Sequence, residues 1–319
     1  LFRSNKMELI GKVIAALGHK WGEWKTTKNP TETEEGIEER VCGNDATHKE
    51  TRSIAKLAAK PVTDSTTTTT TTPAAPATAG TTVTDTTSSA TYTVTSEAAT
   101  GTAPTVEYAG TTGAANQVAV TIPDTVTVSG VEYKVTSVAK DAFKNDKSLT
   151  TVTIGNNVET IEEGAFENCK NLTKVTIAAS VTTIGDSAFE SCTSLTKITI
   201  PANVTKVGVS AFEGCKKLKS ATIGKNVTEI GTKAFANCTA LTSVTLPAKV
   251  TKIGSQIFKG SKKLKTLTIK SKKLTAKSLA KNAFKGVSDK VTIKVPKGKK
   301  KAYTTLFRKK GLSKKVKIK

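Results

Sequence analysis

Histidine is nearly absent. The 319 residues contain two, His19 and His48, so the commonest general base and metal ligand is missing from everything after residue 48. No Gly-rich phosphate loop, paired acidic motif or nucleophile elbow occurs. Nothing approaches the ~20 apolar residues of a membrane span; MELIGKVIAALG is too short and is interrupted by Lys12. The expectation is a non-enzyme that uses no cofactor and no metal. Aromatics are only 5% of the chain, so a position that keeps one at regular intervals stands out.

Acid is scarce at one end. The formal net charge is +23, and residues 259–319 hold 23 lysines and arginines against one acid, Asp289. That segment alone carries +22, and the other 258 residues are nearly balanced. Such a basic end attracts anionic glycans, wall polymers, membranes or nucleic acid. No zinc-finger, helix-turn-helix or RNA-binding signature accompanies it, and only Tyr303 and Phe307 interleave the charge, so specific nucleic acid is not an expected partner. Lys299, Lys300, Lys301, Lys309 and Lys310 form the candidate basic patch; the bland alternative is a solvated cap.

What the chain does have is a sentence repeated every 23 residues: VTTIGDSAFESCTSLTKITIP, then VTKVGVSAFEGCKKLKSATIG, then VTEIGTKAFANCTALTSVTLP. Phenylalanine recurs at 143, 166, 189, 212, 235 and 258, leucine at 149, 172, 195, 218, 241 and 264, valine at 135, 158, 181, 204, 227 and 250. A looser seventh copy carries Phe284, Ile293 and Val295. In each copy L-x-x-V-x-I predicts a short strand with its apolar side chains inward, VTTIG a second extended piece, and DSAFESC a single turn of helix at best. One copy cannot bury its apolar face, whereas stacked copies can, so the period predicts a mainly β repeat solenoid with a parallel sheet and short helical or 3-10 turns. Phe189 and Phe212 are expected in its core.

Four of the five cysteines occupy one repeat column, Cys169, Cys192, Cys215 and Cys238, which carries Asp146 and Ser261 in the end copies. Neighbours stack at about 5 Å with side chains parallel, so a ladder of small, buried, reduced thiols is expected. A serine there would bury a hydroxyl with no assured partner.

The strand motif followed by V-T-x-I-G-x-x-A-F-x-x-C resembles the BspA-type leucine-rich repeats of bacterial surface proteins. The match runs from about Val135 to Pro296, and VPKGKKKAYTTLFRKKGLSKKVKIK is similar to that family's C-terminal cap. The resemblance implies a secreted or wall-attached adhesive protein that binds host macromolecules or other cells. On the strands, Thr153, Thr176, Thr199, Thr222, Thr245 and Thr268 point outward beside Thr151, Lys174, Lys197, Ser220, Ser243 and Thr266. Lys174, Thr176, Lys197, Thr199, Ser220, Thr222, Thr245 and Thr268 are the candidate recognition residues for a host or cell-surface protein or glycan. Threonine also simply suits an exposed strand. Three alternatives stay open: a spacer without its own ligand, a binder of anionic wall polymer through the basic end, and a wall-active enzyme. Asn171, Asn203, Asn226 and Asn237 lie in N-x-T sequons, read as glycan acceptors or as recurring turn chemistry.

Residues 1–60 read as a separate small β-rich module, similar to a short repeat found in tandem on Firmicutes surface proteins. That repeat typically carries paired cysteines; here only Cys42 remains, with His48 and His19 nearby in sequence, which is short of the four ligands of a structural zinc site. VIAALG at 13–18 returns as SIAKLA at 53–58, so the first 18 residues read as the tail of a preceding copy. Trp21 and Trp24 are expected to be the module's core. Residues 61–103, with seven consecutive threonines at 66–72, read as a Thr/Pro/Ala-rich linker, disordered or stalk-like and open to O-glycosylation. Residues 104–296 are then the solenoid with its N-terminal cap, and 297–319 the basic C-terminal cap. An extracellular or cell-surface location is expected. No signal peptide or L-P-x-T-G motif is visible and the chain starts at Leu1, so the expectation is an N-terminus that continues beyond this chain or an export signal of another kind.

Overall fold

A computed structural model describes residues 21–28, 35–54, 75–99, 101–112 and 117–319. The chain forms two compact units, residues 1–70 and 71–319. His19, the 13–18 echo and the threonine run fall outside the described residues.

In the first unit β1 (Lys25–Lys28), β2 (Gly36–Cys42) and β3 (Asp45–Ile54) make an antiparallel meander. Its two outward faces are short of apolar residues, and charge fills the gap. Lys49 Nζ pairs with Glu39 at 2.9 Å, Arg52 with Glu38 at 2.7 Å, and Arg40 with Glu50. Trp21 and Trp24 are only half-buried. Arg40 lies 4.8 Å from the ring centre of Trp21 and 4.6 Å from that of Trp24, and Arg52 covers Trp24 at 4.4 Å. The tryptophans are therefore clamped under guanidinium groups rather than enclosed as a core. Cys42 is buried.

The second unit begins earlier than the sequence suggests. Within the expected linker, β4 (Thr82–Asp85) and β5 (Ala90–Ser96) pair antiparallel with each other, and β5 pairs with β6 (Thr105–Thr111). Ala90, Tyr92 and Val94 alternate inward and are buried, while threonines take the solvent side, which is why a Thr-rich stretch folds here. The Tyr133 hydroxyl accepts from the amide of Ala77 at 2.9 Å and ties down the residues before β4. β7 (Ala119–Ile122), β8 (Thr125–Val128) and β9 (Val131–Val138) complete the N-terminal cap.

The solenoid follows. One row of strands is β10 (Thr151–Ile154), β12 (Lys174–Thr176), β14 (Lys197–Thr199), β16 (Ser220–Thr222), β18 (Ser243–Leu246), β20 (Thr266–Ile269) and β21 (Thr292–Lys294). A second row alternates with it: β11 (Thr160–Ile161), β13 (Thr183–Ile184), β15 (Lys206–Val207), β17 (Glu229–Ile230) and β19 (Lys252–Ile253), which pair parallel and continue through β9 and β6 to β5 and β4. The register steps by 23 residues along the second row from β9 to β19 and between the paired strands of the first row up to β20, Ile184 on Val207 and Ala221 on Val244, and β21 follows β20 at a step of 26. Glycine holds that step open: a Cβ at Gly208 or Gly231 would lie 2.4 Å from the backbone of the preceding copy.

Between the rows the A-F-x-x-C segment is a chain of turns. Two residues per copy stand in the left-handed region. One column is Asp141, Gly164, Ser187, Ser210, Lys233, Gln256 and Asn282, and the other, four residues on, is Asn145, Asn168, Ser191, Gly214, Asn237, Gly260 and Gly286. A left-handed residue every four stops an α-helix before its first turn closes. The turns instead bond to one another across copies: the Phe166 amide donates to Ala188 O at 2.8 Å, and that of Phe212 to Ala234 O at 2.9 Å.

The columns read from the sequence are the core. Phe143, Phe166, Phe189, Phe212, Phe235 and Phe258 are buried and stack with ring centres 5.1–5.9 Å apart; Tyr108 extends the stack into the N-terminal cap, where Tyr92 meets it edge to face. At the far end α1 (Lys300–Lys309) buries Tyr303 and Phe307, with Phe307 against Phe284 at 4.5 Å, and β22 (Lys317–Ile318) adds to β21.

Candidate functional site

Each L-x-x-V-x-I strand turns Val or Ile to the core and its neighbours to solvent, so the outer face of the first row is built from the residues between the core columns. Thr176, Thr199, Thr222 and Thr245 are exposed, with Lys174, Lys197, Ser220 and Ser243 exposed beside them; Thr268 is half-exposed. Among the described residues Lys174 and Lys197 have no ion-pair partner.

The face is not continuous. β7, β10 and β12 form one sheet, and β14, β16, β18, β20, β21 and β22 another. Lys174 and Thr176 thus lie on a different sheet from Lys197 and Thr199. The amides of Thr173 and Lys219 donate to Thr150 O and Thr196 O at 2.8 and 2.9 Å, but the Thr196 amide finds no backbone acceptor among the described residues. Val175 is half-exposed as a result. Ala178 stands over Gly155 and under Pro201, carrying a methyl where Gly224 lets the next copy settle so closely on Pro201 that a Cβ would lie 1.9 Å from the Pro201 carbonyl.

On the six-stranded sheet the face carries a shallow depression of about 590 Å³, edged by Thr222, Lys225, Thr245, Pro247 and Lys270. Ala221 sits in it, where neighbouring copies carry Ile198 and Val244. Lys225, Pro247 and Lys270 were not among the candidates read from the sequence, because they lie in the turns after the strands rather than in the outward strand columns.

The basic end is sorted by the structure. Lys300, Lys301 and Lys309 are exposed on or beside α1, whereas Lys299 and Lys310 are half-buried. Lys310 Nζ donates to Leu279 O at 2.6 Å, which makes it a bracket between cap and solenoid rather than a free cation.

The cysteine ladder faces inward. Cys169, Cys192, Cys215 and Cys238 are buried free thiols. Each Sγ donates to the carbonyl of the phenylalanine 26 residues earlier, at 2.9, 3.1, 3.2 and 3.2 Å to Phe143, Phe166, Phe189 and Phe212. Ser261 repeats the bond to Phe235 O at 2.9 Å. Burial pushes the Cys169 and Cys238 thiols up to about 12 and those of Cys192 and Cys215 well above their ordinary value. Such protonated thiols are poor nucleophiles and poor metal ligands. Among the described residues no cluster of histidine, cysteine and carboxylate could hold a metal. Two of the four sequon asparagines are tied to the backbone of the preceding copy, Asn171 Nδ2 to Lys147 O at 2.7 Å and Asn203 Nδ2 to Ala179 O at 2.8 Å, the role expected of turn chemistry.

The 23-residue step, the stacked phenylalanines and the paired turns are those of one repeat type. The family model for the BspA type leucine rich repeat region matches six copies over residues 124–242 and 228–319, more than half of the chain. The chain belongs to the BspA-type leucine-rich repeat family. Among solved structures, a leucine rich cell surface protein of Faecalibacterium prausnitzii A2-165 is 28% identical, with a TM-score of 0.48, covering 68% of this chain and 70% of that one. A leucine-rich repeat protein of Bacteroides ovatus ATCC 8483 is 25% identical, with a TM-score of 0.35, over 65% and 70% of the two chains. The leucine rich repeat protein of T. pallidum is 20% identical, with a TM-score of 0.41, over 67% and 92%. No curated protein matches the chain. Proteins with BspA-type repeats are cell-surface proteins, and the repeat is typically a protein-binding and non-enzymatic scaffold. Among the described residues no helix is long and apolar enough to cross a membrane.

Proposed function

We propose that this BspA-type chain is an extracellular adhesion module that recognises a macromolecule of another cell, a host matrix protein foremost, through the outer face of the six-stranded sheet. The observation that carries the reading is the combination of a rigid parallel ladder, unpaired Lys197 and exposed Thr199, Thr222 and Thr245 in one line, and a depression beside Lys225 and Lys270. An extended acidic or hydroxyl-bearing chain laid along this face meets a hydroxyl about every 5 Å. The rigidity matters because little side-chain freedom is lost on binding to short Ser and Thr side chains.

The experiment is binding of the full chain to immobilised matrix proteins and glycans. Lys197→Glu and Thr199→Glu should each abolish the specific signal, while glutamine at Lys300, Lys301 and Lys309 lowers only its salt-sensitive part. A second reading is favoured by the exposed lysines of α1: attachment to an anionic wall polymer through the basic end. If the lysine-to-glutamine variant loses all binding and both sheet variants bind normally, the second reading replaces the first.

A further inference from the structure

The N-terminal cap holds a cavity of about 710 Å³ that the repeats do not explain. It lies between the β4–β5 turn, with Asp85, Thr87 and Ser88, and the strands β7 and β8, which contribute Val120 and Val126. Its size is within the range of small-molecule sites, about 300–1,000 Å³.

Two side chains set its chemistry. Tyr92 and Tyr108 line the cavity, and only 1% and 2% of their surfaces are exposed. Their rings are committed to packing, edge to face with each other at 5.2 Å and, for Tyr108, stacked on Phe143 at 5.4 Å. Neither hydroxyl has a hydrogen-bond partner among the described residues, in contrast to Tyr133 and Tyr303, whose hydroxyls bond to backbone. Neither hydroxyl is among the fully buried side-chain polar atoms left unbonded, so both open onto the cavity, where water or a ligand hydroxyl can bond to them without displacing a protein partner. Burial and the Asp85 charge push Tyr92 up to about 12, and burial raises Tyr108 further, so both are donors at any physiological pH. Asp85 accepts from the Thr87 amide at 2.9 Å and from Ser88 Oγ at 2.5 Å, which fixes its carboxylate and leaves each oxygen a second lone pair.

The lining contains no lysine or arginine, so an anionic ligand would find no counter-charge. The tyrosine faces are covered, so an ammonium group would find no open ring to sit on. What remains is a wall with two fixed O–H donors, one fixed carboxylate acceptor, threonine hydroxyls and patches of valine. A compound with alternating hydroxyls and C–H surface satisfies all of these at once. The geometry points to this cavity as a binding site for a neutral saccharide unit, held by the hydroxyls of Tyr92 and Tyr108 and the carboxylate of Asp85. The site is separate from the sheet face and stands whether or not that face binds protein.

The test is titration of the full chain with neutral hexoses, N-acetylhexosamines and their short oligomers, with choline and inorganic phosphate as comparison probes, followed by ring resonances of the tyrosines. At least one neutral saccharide should shift the Tyr92 and Tyr108 signals in the unaltered protein. The double variant Tyr92→Phe/Tyr108→Phe, which removes two unbonded hydroxyls and keeps the rings, should keep the thermal midpoint and weaken that saccharide by about tenfold or more. Lys197→Glu should leave it unchanged, so failure here and failure at the sheet face are told apart. Three results overturn the proposal: no saccharide shifts the tyrosine signals, affinity survives loss of both hydroxyls, or choline or phosphate produces the shifts and the saccharides do not.

Discussion

The thiol of Cys215 donates to the carbonyl of Phe189 at 3.2 Å, and Ser261, two copies on, gives its hydroxyl to Phe235 in the same way. The column therefore selects a small donor, not sulfur. This corrects the expectation of a partnerless serine hydroxyl, because the chain already contains its own substitution. Cys215→Ser should cost less than about 1 kcal/mol, while Cys215→Ala, which deletes the donor and leaves a small void, should cost about 1–3 kcal/mol. Urea denaturation of the two variants checks the order; a serine variant less stable than the alanine one would contradict it.

The same thiols give the protein an alkaline limit. Cys169 and Cys238 titrate near 9 when unfolded and about 12 when folded, and Tyr92 moves from 10 to about 12. A folded value above the unfolded one means that the native state keeps its proton longer. The stabilisation is fully present below pH 9 and declines from there to about 12, by up to about 1.4 kcal/mol per pH unit for each group. Denaturation midpoints from pH 7 to 11 should be flat and then fall. Thiol reagents at pH 8 should label the four repeat cysteines only after unfolding.

Phe212 stacks between Phe189 and Phe235 at 5.4 and 5.3 Å and is fully buried. Phe212→Ala should destabilise by about 3–5 kcal/mol. An unchanged urea midpoint would be incompatible with the stack.

Two adjacent lysines of the basic end should behave differently. Lys309 is exposed, and Lys309→Gln should leave stability within about 0.5 kcal/mol. Lys310 holds the Leu279 carbonyl, and Lys310→Gln should cost about 1–3 kcal/mol, read as a lower thermal midpoint.

The parting of the first row between β12 and β14 predicts a local pattern of hydrogen exchange. The amides of Thr196 and Lys197 should exchange rapidly, while that of Lys219, bonded to Thr196 O, stays protected. Equal protection at 196 and 219 would mean that the ladder is continuous.

The core was legible because phenylalanine, leucine and valine recur in register, and burial repeats with them. The candidate site was legible only as a list of outward residues. LTKVTI and LTKITI are nearly the same string, so nothing in them announces that Lys174 and Lys197 belong to different sheets. Lys309 and Lys310 are identical letters whose roles part only when Leu279 comes within reach. The left-handed columns mix Asp141, Ser187, Lys233 and Gln256, which share no side-chain chemistry, so nothing in A-F-x-x-C announced them and the segment read only as a single turn of helix at best. Tyr92 was the overlooked signal: it is the first aromatic after Trp24, and its alternation with Val94 was masked by the threonines around it.

The seam between one copy and the next is chemically the same at almost every step, the same Phe-to-Ala bond, the same thiol-to-Phe bond, the same glycine contact. Within the six-stranded sheet a copy added or removed would meet the same bonds from its neighbours, so the length of that exposed face can change without a new kind of seam.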